Sequence, residues 1–428
     1  MQTAVIDAYD KTDSLVLISP TGTGKTLAYL LPLARSLRTG VEGVQAVIIT
    51  PSRELALQTE TVFRRMNLEH RALTCYGGRP AMDEHRAMNN LHPALLIGTP
   101  GRLLDHLSKH NFDASCVRTL VIDEFDKSLE LGFRDEMSEV ISRLPHVDKR
   151  ILLSATDSDD IPGFVGLTDE DNKARRRLLK LDYSLESTTE DRLALRLVHS
   201  PAKDKLQTLY RLLCSLGDSS TLVFVNYRES VERVAGYLLA QHFPCDTFHG
   251  GMEQADRERA LYKFRNGSCP VLISTDLAAR GLDIQGVDSI VHYHLPVNEE
   301  AFTHRNGRTA RWQATGKAFL ILHPEENLPP YIDGDTPEYV LPETTPRPPR
   351  PRYTTLYIGR GKKDKLNKVD ICGFFYKIGG LSRDDLGPID VSDHYAYVAV
   401  RRDKVKQLLA LIAGEKIKGM KTLIEVAR

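Results

Sequence analysis

The stretch Ser19-Pro20-Thr21-Gly22-Thr23-Gly24-Lys25-Thr26 organises the amino-terminal part of the chain. An apolar run at 15–18 precedes it and helix-forming residues follow it, so the pattern is a strand, a glycine-rich turn and a helix start. Glycines allow successive backbone N–H groups to point at one anion, and a helix amino terminus adds partial positive charge. The pattern predicts a phosphate-binding loop in which Lys25 reaches the β- and γ-phosphates and Thr26 holds Mg²⁺. The predicted nucleotide contacts are Thr21, Gly22, Thr23, Gly24, Lys25 and Thr26.

A second motif, at residues 119–126, is an apolar run that ends in two adjacent carboxylates. Asp123, at the end of the predicted strand, is suited to bind Mg²⁺ through its water shell. Glu124 is suited to polarise the water that attacks a γ-phosphate. A solvated acidic turn is the alternative for this stretch taken alone. Together with a phosphate loop, the two carboxylates indicate a nucleoside triphosphatase.

The composition is that of an ordinary globular protein. The 428 residues are 41% hydrophobic and 27% charged, and this length predicts two or three domains. No apolar run approaches the roughly 18 residues of a membrane span, and no basic leader opens the chain, so we expect a cytoplasmic protein without a membrane partner. The six cysteines are scattered without a C-x-x-C pair, which predicts reduced thiols rather than a metal site.

The formal net charge is zero, but the charge is unevenly distributed. Residues 346–428 contain 18 Lys and Arg against 9 Asp and Glu, a net charge of +9, and the rest of the chain therefore carries −9. A basic carboxyl-terminal segment on an acidic body predicts a polyanionic partner at that end. A solvated surface that happens to be basic is the alternative.

Two successive α/β alternations precede a small α+β segment, and we predict three domains. The first covers 1–182, with strands at 15–19, 46–50, 95–98, 119–123 and 151–154. A polar linker at 183–202 leads to the second domain at 203–323, with strands at 221–225, 271–275, 289–293 and 318–322. Nine prolines at 324–352 predict a stiff, extended linker that holds the last domain, 353–428, at a distance. That domain is predicted to contain strands at 354–359 and 396–400 and a helix at 403–412.

The motifs of the first 322 residues, in their order, resemble those of the DEAD-box family of ATP-dependent RNA helicases. In the first domain they are Pro51-Ser52-Arg53-Glu54-Leu55-Ala56, Gly77-Gly78, Thr99-Pro100-Gly101-Arg102, Asp123-Glu124-Phe125-Asp126 and Ser154-Ala155-Thr156. In the second they are Leu222-Val223-Phe224-Val225-Asn226, Gln254 with Arg257, Ser274-Thr275-Asp276-Leu277-Ala278-Ala279-Arg280-Gly281-Leu282-Asp283 and His304-Arg305-Asn306-Gly307-Arg308-Thr309-Ala310-Arg311.

The resemblance implies two tandem RecA-like parallel-sheet domains that bind ATP and RNA between them. Gln2 would read adenine, Gly281 and Asp283 would contact ATP, and Arg308 and Arg311 would act as arginine fingers. Coupling of hydrolysis to unwinding would involve Asp126, Ser154, Thr156, Gln254 and Arg257. The RNA backbone would be held by Arg53, Gly78, Thr99, Arg102 and Thr275.

This sequence departs from the family pattern at three places. Phe125 stands where the family has a small residue, and Ala310 replaces a glycine between two arginines. The sequence begins Met1-Gln2 and lacks the aromatic residue expected upstream of the glutamine, which suggests a truncated or misassigned start. The expectation from this is weak ATP affinity and poor rejection of GTP.

The carboxyl-terminal segment resembles the RNA-binding domain of DbpA-type DEAD-box proteins, through Gly361-Lys362-Lys363-Asp364-Lys365 and Gly414-Glu415-Lys416-Ile417-Lys418-Gly419. The resemblance implies an RRM-like domain that binds structured large-subunit ribosomal RNA. Tyr395 and Tyr397 lie two apart in one predicted strand and should face one side of a sheet, and Tyr357 lies in another apolar strand. All three are predicted to stack on bases. The predicted phosphate contacts are Lys362, Lys363, Lys416 and Lys418. Tyrosines that cover a small core, and lysines on a solvated face, are the alternatives.

We therefore expect a monomeric ATP- and Mg²⁺-dependent RNA helicase, an RNA-stimulated ATPase that locally unwinds structured RNA during large-subunit assembly. Two alternatives remain at this stage. One is a DNA-translocating helicase of the same superfamily, and the other is an ATP-dependent RNA clamp or scaffold with little turnover.

Overall fold

The computed structural model describes residues 1–20, 23–78, 80–155, 161–167, 178–183, 193–279, 286–309, 316–332 and 335–427. Contacts divide the chain into two compact units. The first is built mainly on Met1–Arg192, and the second mainly on the residues from Leu193 onward.

The first unit is a parallel seven-stranded sheet with helices between its strands. The strand order is β3-β4-β2-β5-β6-β1-β7. The strands are β1 (Ser14–Ile18), β2 (Ala46–Ile49), β3 (Ala72–Cys75), β4 (Leu95–Gly98), β5 (Thr119–Ile122), β6 (Lys149–Ser154) and β7 (Leu178–Asp182). The helices are α1 (Gln2–Tyr9), α2 (Lys25–Ser36), α3 (Arg53–Arg65), α4 (Ala81–Leu91), α5 (Pro100–Ser108), α6 (Phe125–Glu130) and α7 (Arg134–Ser142). All five predicted strands are present, and β3 and β7 are additional.

Both faces of this sheet are buried, which explains the continuous apolar runs in its central strands. Val16 and Ile18 of β1 pack into the apolar cluster on one face, and Leu15 and Leu17 pack into the cluster on the other. Because side chains alternate along a strand, each central strand supplies both cores. All strands are parallel, so all their carboxyl ends lie at one edge, where ligands bind in such sheets.

The second unit contains a parallel six-stranded sheet of order β10-β11-β9-β12-β13-β8. Its strands are β8 (Leu193–His199), β9 (Thr221–Val225), β10 (Cys245–Phe248), β11 (Val271–Thr275), β12 (Ser289–His292) and β13 (Gly316–Leu322). Its helices are α8 (Leu206–Leu216), α9 (Arg228–Ala240), α10 (Gln254–Arg265), α11 (Asp276–Ala279) and α12 (Glu299–Asn306). The predicted linker 183–202 is wrong at its carboxyl end, because β8 pairs along its full length with β13 and is the edge strand of this sheet.

A small antiparallel sheet follows within the same unit. The order is β15-β16-β14-β19. Its strands are β14 (Tyr353–Ile358), β15 (Leu386–Val391), β16 (Ala396–Arg401) and β19 (Ile424–Val426), beside a hairpin of β17 (Lys416–Ile417) and β18 (Met420–Lys421). Helices α13 (Lys368–Lys377) and α14 (Val405–Leu411) accompany it, and the core beneath the sheet is a separate apolar cluster centred on Leu356, Phe375 and Val398. The predicted α/β class, with two parallel-sheet domains and a small α+β domain, is confirmed.

The proline-rich segment is not a free spacer, and this part of the prediction is wrong. The backbone N–H of Leu197 donates to the Pro337 carbonyl at 2.9 Å, and the N–H of Tyr339 donates back to Leu197 at 2.7 Å. Tyr339 and Leu341 pack against the apolar core around β9, β11 and β12. The segment around Pro337 therefore lies along the outer edge of the second sheet, which β8 leaves open to pairing.

None of the six cysteines forms a disulfide in the described part of the chain. None of the helices in the described part of the chain combines the length and the apolar character that a membrane crossing requires.

Candidate functional site

Three predicted motifs of the first unit meet because of the order of its strands. The phosphate loop follows β1, the two carboxylates follow β5, and Ser154 ends β6. Strand β6 lies between the other two, with Ile18 opposite Ser154 and Ile122 opposite Leu152. Parallel pairing therefore brings residues that are about a hundred positions apart in the sequence to one edge of the sheet.

Lys25 is held at this edge by backbone carbonyls. Its side chain is buried, and its ammonium group donates to the carbonyl of Ser19 and, at 3.4 Å, to that of Ser154. Gly24 caps the helix α2 with a φ of 90°, a left-handed conformation that only glycine adopts without strain. The local backbone thus points the lysine back over the loop, where a phosphate would lie.

Asp123 is a buried carboxylate with two donors. The Tyr29 hydroxyl donates to one oxygen at 3.1 Å, and the backbone N–H of Glu124 donates to the other at 3.0 Å. Burial and, second, the adjacent Glu124 carboxylate raise the pKa of Asp123 to about 6, against the opposing effect of Lys25. A cation beside this buried carboxylate would favour its charged form. The donor set of Asp123 and the half-buried Thr26 hydroxyl fits the oxygen ligands that Mg²⁺ prefers.

The turn after Asp123 places the side chains of the next three residues in three different environments. Glu124 has a φ of 47°, so its side chain leaves the strand axis at the start of α6. Asp126 accepts a hydrogen bond from the backbone N–H of Ala155 at 3.3 Å, which joins this motif to Ser154-Ala155-Thr156. Phe125 is 2% exposed and packs into the apolar core. The unusual aromatic residue is therefore accommodated by the core, not by the site.

Gln2 contacts the phosphate loop. Its amide nitrogen lies 3.5 Å from the carbonyl oxygen of Gly24, and a Cβ at Gly24 would lie 2.5 Å from that same nitrogen. The sequence spacing that suggested an adenine contact thus corresponds to a real proximity to the loop. Reading of adenine by Gln2 stays a prediction.

The predicted RNA-binding residues of the first unit lie at the ends of neighbouring strands. Arg53 begins α3 after β2, and its guanidinium occupies the space above Gly78 that a side chain would need. Thr99 follows β4 and caps α5, and its N–H donates to the Cys75 carbonyl at 3.1 Å. Arg102, one turn into α5, is only 13% exposed at its side chain.

In the second unit, the predicted residues follow β10 and β11 or lie near α12. Thr275 ends β11 and is 8% exposed. Gln254 begins α10 and donates to Glu258 at 3.0 Å, and Arg257 lies over the ring of Phe248 at 4.7 Å. Arg308 is 5% exposed just after α12. Seven residues singled out from the sequence lie outside the described residues, namely Thr21, Gly22, Thr156, Gly281, Asp283, Ala310 and Arg311.

Arg305 is a buried residue whose importance the sequence did not reveal. It is 1% exposed, and its guanidinium donates two hydrogen bonds to Asp276, at 2.6 and 2.7 Å. Further hydrogen bonds go to Asn226 at 2.8 Å and to the His294 carbonyl at 2.7 Å. Burial and then the Arg305 cation lower the pKa of His292 to about 3, so this neighbour is neutral. One guanidinium therefore joins three motifs of the second sheet, and its only sequence signal was membership of the last motif.

The predicted tyrosine cluster exists, but the parallel-sheet domain of the same unit covers it. Tyr357, Tyr395 and Tyr397 have ring centroids 5.2–6.0 Å apart. Tyr397 is 6% exposed and stacks on Tyr262 of α10, with centroids 5.2 Å apart. The Tyr262 hydroxyl donates to the Tyr397 carbonyl at 3.0 Å.

Polar contacts complete this interface. Tyr395 donates to Glu258 of α10, and Asn266 donates to Thr355 at 2.9 Å. Burial raises the pKa of Tyr397 to about 12, as expected for a hydroxyl removed from water. In this structure the Tyr397 ring stacks on Tyr262, and base stacking by Tyr397 stays a prediction. The small domain docks through the face that RRM domains commonly use for RNA.

Replacing Tyr262 by alanine is expected to uncover this face. The substitution removes one stacked ring pair, which is worth about 0.5–1.5 kcal/mol, and the hydroxyl that bonds two backbone carbonyls. Hydroxyl-radical footprinting should then show faster modification of Tyr395 and Tyr397. Tyr227→Ala removes a tyrosine that is 65% exposed and should leave both unchanged. Equal protection of Tyr397 in both variants would contradict the described packing.

The two predicted lysine clusters lie together at another part of the small domain. Lys418 donates to the Lys365 carbonyl at 2.7 Å and to the Asp370 carboxylate at 2.9 Å. This contact brings the hairpin of Lys416 and Lys418 beside the exposed Lys362 and Lys363. The charge of Lys418 is partly satisfied by Asp370, whose pKa it lowers.

Three family models match successive parts of this chain. Residues 1–162 match the DEAD/DEAH box helicase domain, 204–313 match the helicase conserved C-terminal domain, and 355–426 match the DbpA RNA binding domain. Together they cover both parallel-sheet domains and the small domain.

Relatives match along almost the whole length. The ATP-dependent RNA helicase DbpA of Escherichia coli K12 is 34% identical, over 93% of this chain and 88% of the relative. The ATP-dependent RNA helicase DbpA of Bacillus subtilis 168 is 29% identical, over 100% of this chain and 94% of the relative.

Two solved structures have a fold similar to that of this chain. Mss116p bound to ssRNA and AMP-PNP is 25% identical with a TM-score of 0.64, over 73% of this chain and 67% of that one. Saccharomyces cerevisiae Dbp5 bound to RNA and ADP BeF3 is 26% identical with a TM-score of 0.63, over 76% and 83%. The chain belongs to the DEAD-box ATP-dependent RNA helicases, in the group that carries a DbpA-type RNA-binding domain.

Proposed function

We propose that this helicase opens structured large-subunit ribosomal RNA. We further propose that the RNA is selected by the lysine edge of the small domain, which consists of Lys362, Lys363, Lys416 and Lys418. The observation that carries this proposal is the contact between Lys418 and the Lys365 carbonyl, which joins two basic segments into one edge. Helix α10 occupies the tyrosine face, which favours the lysine edge as the surface that meets RNA. The names of two near-full-length relatives, both ATP-dependent RNA helicases DbpA, are consistent with such a role.

In the proposed chemistry, the first unit prepares ATP for hydrolysis. Lys25 binds the β- and γ-phosphates, and Glu124 orients the attacking water and accepts its proton. Asp123 and Thr26 would hold Mg²⁺, which supplies charge neutralisation of the phosphates when bound. The Tyr29 hydroxyl and the Glu124 N–H, which fix the orientation of the Asp123 carboxylate, support this role.

Arg308 and Arg311 are proposed to act as arginine fingers on the transferred phosphoryl group. An arginine supplied in this way accelerates related hydrolyses by about 10³–10⁵. The burial of Arg308 beside the Arg305 network supports a side chain that is oriented before ATP arrives. The residues proposed to hold RNA by its backbone are Arg53, Thr99, Arg102 and Thr275, so this part of the protein would be nearly blind to sequence.

Neutralising two exposed lysines tests where RNA selection lies. Lys362→Ala with Lys363→Ala is expected to raise, several-fold, the concentration of a ribosomal RNA hairpin fragment that half-saturates ATPase stimulation. Stimulation by poly(A) should be nearly unchanged. The dependence of log affinity on log salt should become shallower by roughly one unit for each lost phosphate contact. Both quantities are measured by steady-state phosphate release at several salt concentrations.

The control removes the same charge from helices α13 and α14, through Lys377→Ala with Lys406→Ala, two exposed lysines. It should leave the preference for the ribosomal fragment intact. Equal loss in both double variants would mean that net charge matters and the proposed edge does not. A duplex DNA arm in the same panel gives the background of non-specific polyanion stimulation.

A further inference from the structure

Glu84 is a buried acid in the middle of the first unit. It lies on α4 and is only 2% exposed. A carboxylate removed from water costs several kcal/mol unless hydrogen bonds and a cation compensate it. Its partners therefore indicate why the fold keeps a charge here.

Each oxygen of Glu84 has a defined partner. One oxygen accepts the backbone N–H of Tyr76 at 3.0 Å. The other lies 2.8 Å from Nε2 of His106 and 3.6 Å from Nε of Arg102. The amide nitrogen of Asn111 lies 2.8 Å from Nδ1 of His106, so Nδ1 accepts this bond and the protonated Nε2 donates to Glu84.

These partners belong to the RNA-binding motifs. Tyr76 directly precedes Gly77-Gly78, whose open space holds the guanidinium of Arg53. Arg102 belongs to the segment that follows β4, on α5. One carboxylate thus ties the backbone before the two glycines to the side chain of Arg102.

We infer that Glu84 is a positioning residue for RNA binding. It holds the Arg102 guanidinium and the Gly77-Gly78 turn in a fixed position relative to each other. The inference rests on the proposed role of Arg102 as an RNA-backbone contact. An arginine held by a buried carboxylate loses little side-chain entropy when a phosphate arrives. Glu84 itself lies too deep to touch RNA.

A metal site is the other way to use this cluster. Donor atoms of Cys75, Glu84 and His106 lie within 4.8 Å of one another. The Glu84 oxygens already accept two N–H groups, and the Arg102 cation lies 3.6 Å from one of them. A metal cation would be repelled by Arg102 and would have to displace these hydrogen bonds. The contacts therefore favour a positioning role of Glu84 over a metal site.

The test uses Glu84→Gln in the full chain. Glutamine keeps the shape and still accepts from Tyr76, but its neutral amide no longer pairs with Arg102. The RNA concentration that half-saturates ATPase stimulation should rise about tenfold, as for loss of one ion pair within a coupled network. The rate at saturating RNA and the KM for ATP should stay within about twofold. Asp83→Asn, which removes an exposed neighbouring carboxylate, is the matched control and should behave like the parent protein.

A double-mutant cycle separates positioning from general damage. If Glu84 acts through Arg102, then Glu84→Gln should weaken RNA binding no further in an Arg102→Ala background. Additive losses, or a fall in the saturated rate and KM for ATP together, would overturn the inference. His106→Gln supplies a second variant, because it disturbs the same cluster but leaves the pair of Glu84 and Arg102, and it should retain RNA affinity.

The proposed RNA contact of Arg102 and the proposed positioning role of Glu84 fail in distinguishable ways. Arg102→Ala with unchanged RNA dependence would remove Arg102 from RNA binding, and the inference on Glu84 with it. Weakened RNA binding in Arg102→Ala together with normal binding in Glu84→Gln would overturn the inference on Glu84 alone. Stoichiometric zinc in the purified protein that is lost in Glu84→Gln would establish the metal site instead.

Discussion

Glu124→Gln is expected to lower the rate of ATP hydrolysis at saturating RNA by at least a hundredfold while ATP binding stays close to normal. The substitution removes the proposed water-activating carboxylate and keeps its polar shape, and general-base groups contribute about 10²–10⁴ in rate. The left-handed backbone at Glu124 is unchanged, so Asp123 keeps the N–H donor that orients it. Steady-state phosphate release and equilibrium binding of a fluorescent ATP analogue measure the two quantities.

Glu139→Gln serves as the control for this variant. Glu139 lies on α7 of the same unit, is 49% exposed at its side chain, and pairs with Arg143 at 2.6 Å on the outer surface of that helix. Its hydrolysis rate should equal that of the parent. A Glu124→Gln protein that kept a tenth of the parental rate would exclude Glu124 as the base. Loss of ATP binding in parallel would point to collapse of the phosphate loop instead.

Arg305→Ala is expected to destabilise the second unit by about 3 kcal/mol, the lower end of the range for a broken buried ion pair, because the Asp276 carboxylate that loses its cation is 25% exposed at its side chain. It also removes the donors to Asn226 and to the His294 carbonyl, which bind the ends of β9 and β12 together. Hydrogen exchange of amides in β9, β11 and β12 should accelerate most. Because the chain has two units, exchange in the first sheet provides an internal reference.

The control for Arg305 is another arginine–aspartate pair in the same unit. Arg233 and Asp204 lie 2.7 Å apart, but their side chains are 59% and 53% exposed. Arg233→Ala should therefore cost at most about 1 kcal/mol. Similar costs for the two substitutions would mean that water reaches the Arg305 pair. Arg305→Lys should fall between them, because an ammonium group cannot make both parallel bonds to Asp276.

Local sequence patterns were sufficient for much of this protein. The apolar runs predicted the central strands, since a strand buried on both faces is apolar at every position and stands out from its surroundings. The phosphate loop and the two carboxylates after residue 122 were readable because their chemistry is contained in a few adjacent residues. The family resemblance followed from the order of such short motifs, and the matches over both halves of the chain confirmed it.

The sequence alone did not identify the edge strands. Strand β8 is half-exposed along its first four residues and interrupts a polar segment, so it resembled a linker. The proline-rich segment was predicted as a free spacer because its composition favours extended chain. Whether an extended chain is solvated or paired to a neighbour depends on an open strand edge elsewhere in the protein. Only the fold determines whether such an edge exists.

The side-chain networks also required the tertiary structure. The alternation of residues placed Tyr395 and Tyr397 on one face of a sheet, but it could not tell that α10 covers that face. Glu84 and Arg305 have no local signature, since their partners are 8 to 79 residues away in the sequence. A buried charge is kept only where distant donors and acceptors converge on it. Sequence by itself determined which local chemistry was available, and the packing of distant segments decided which groups meet.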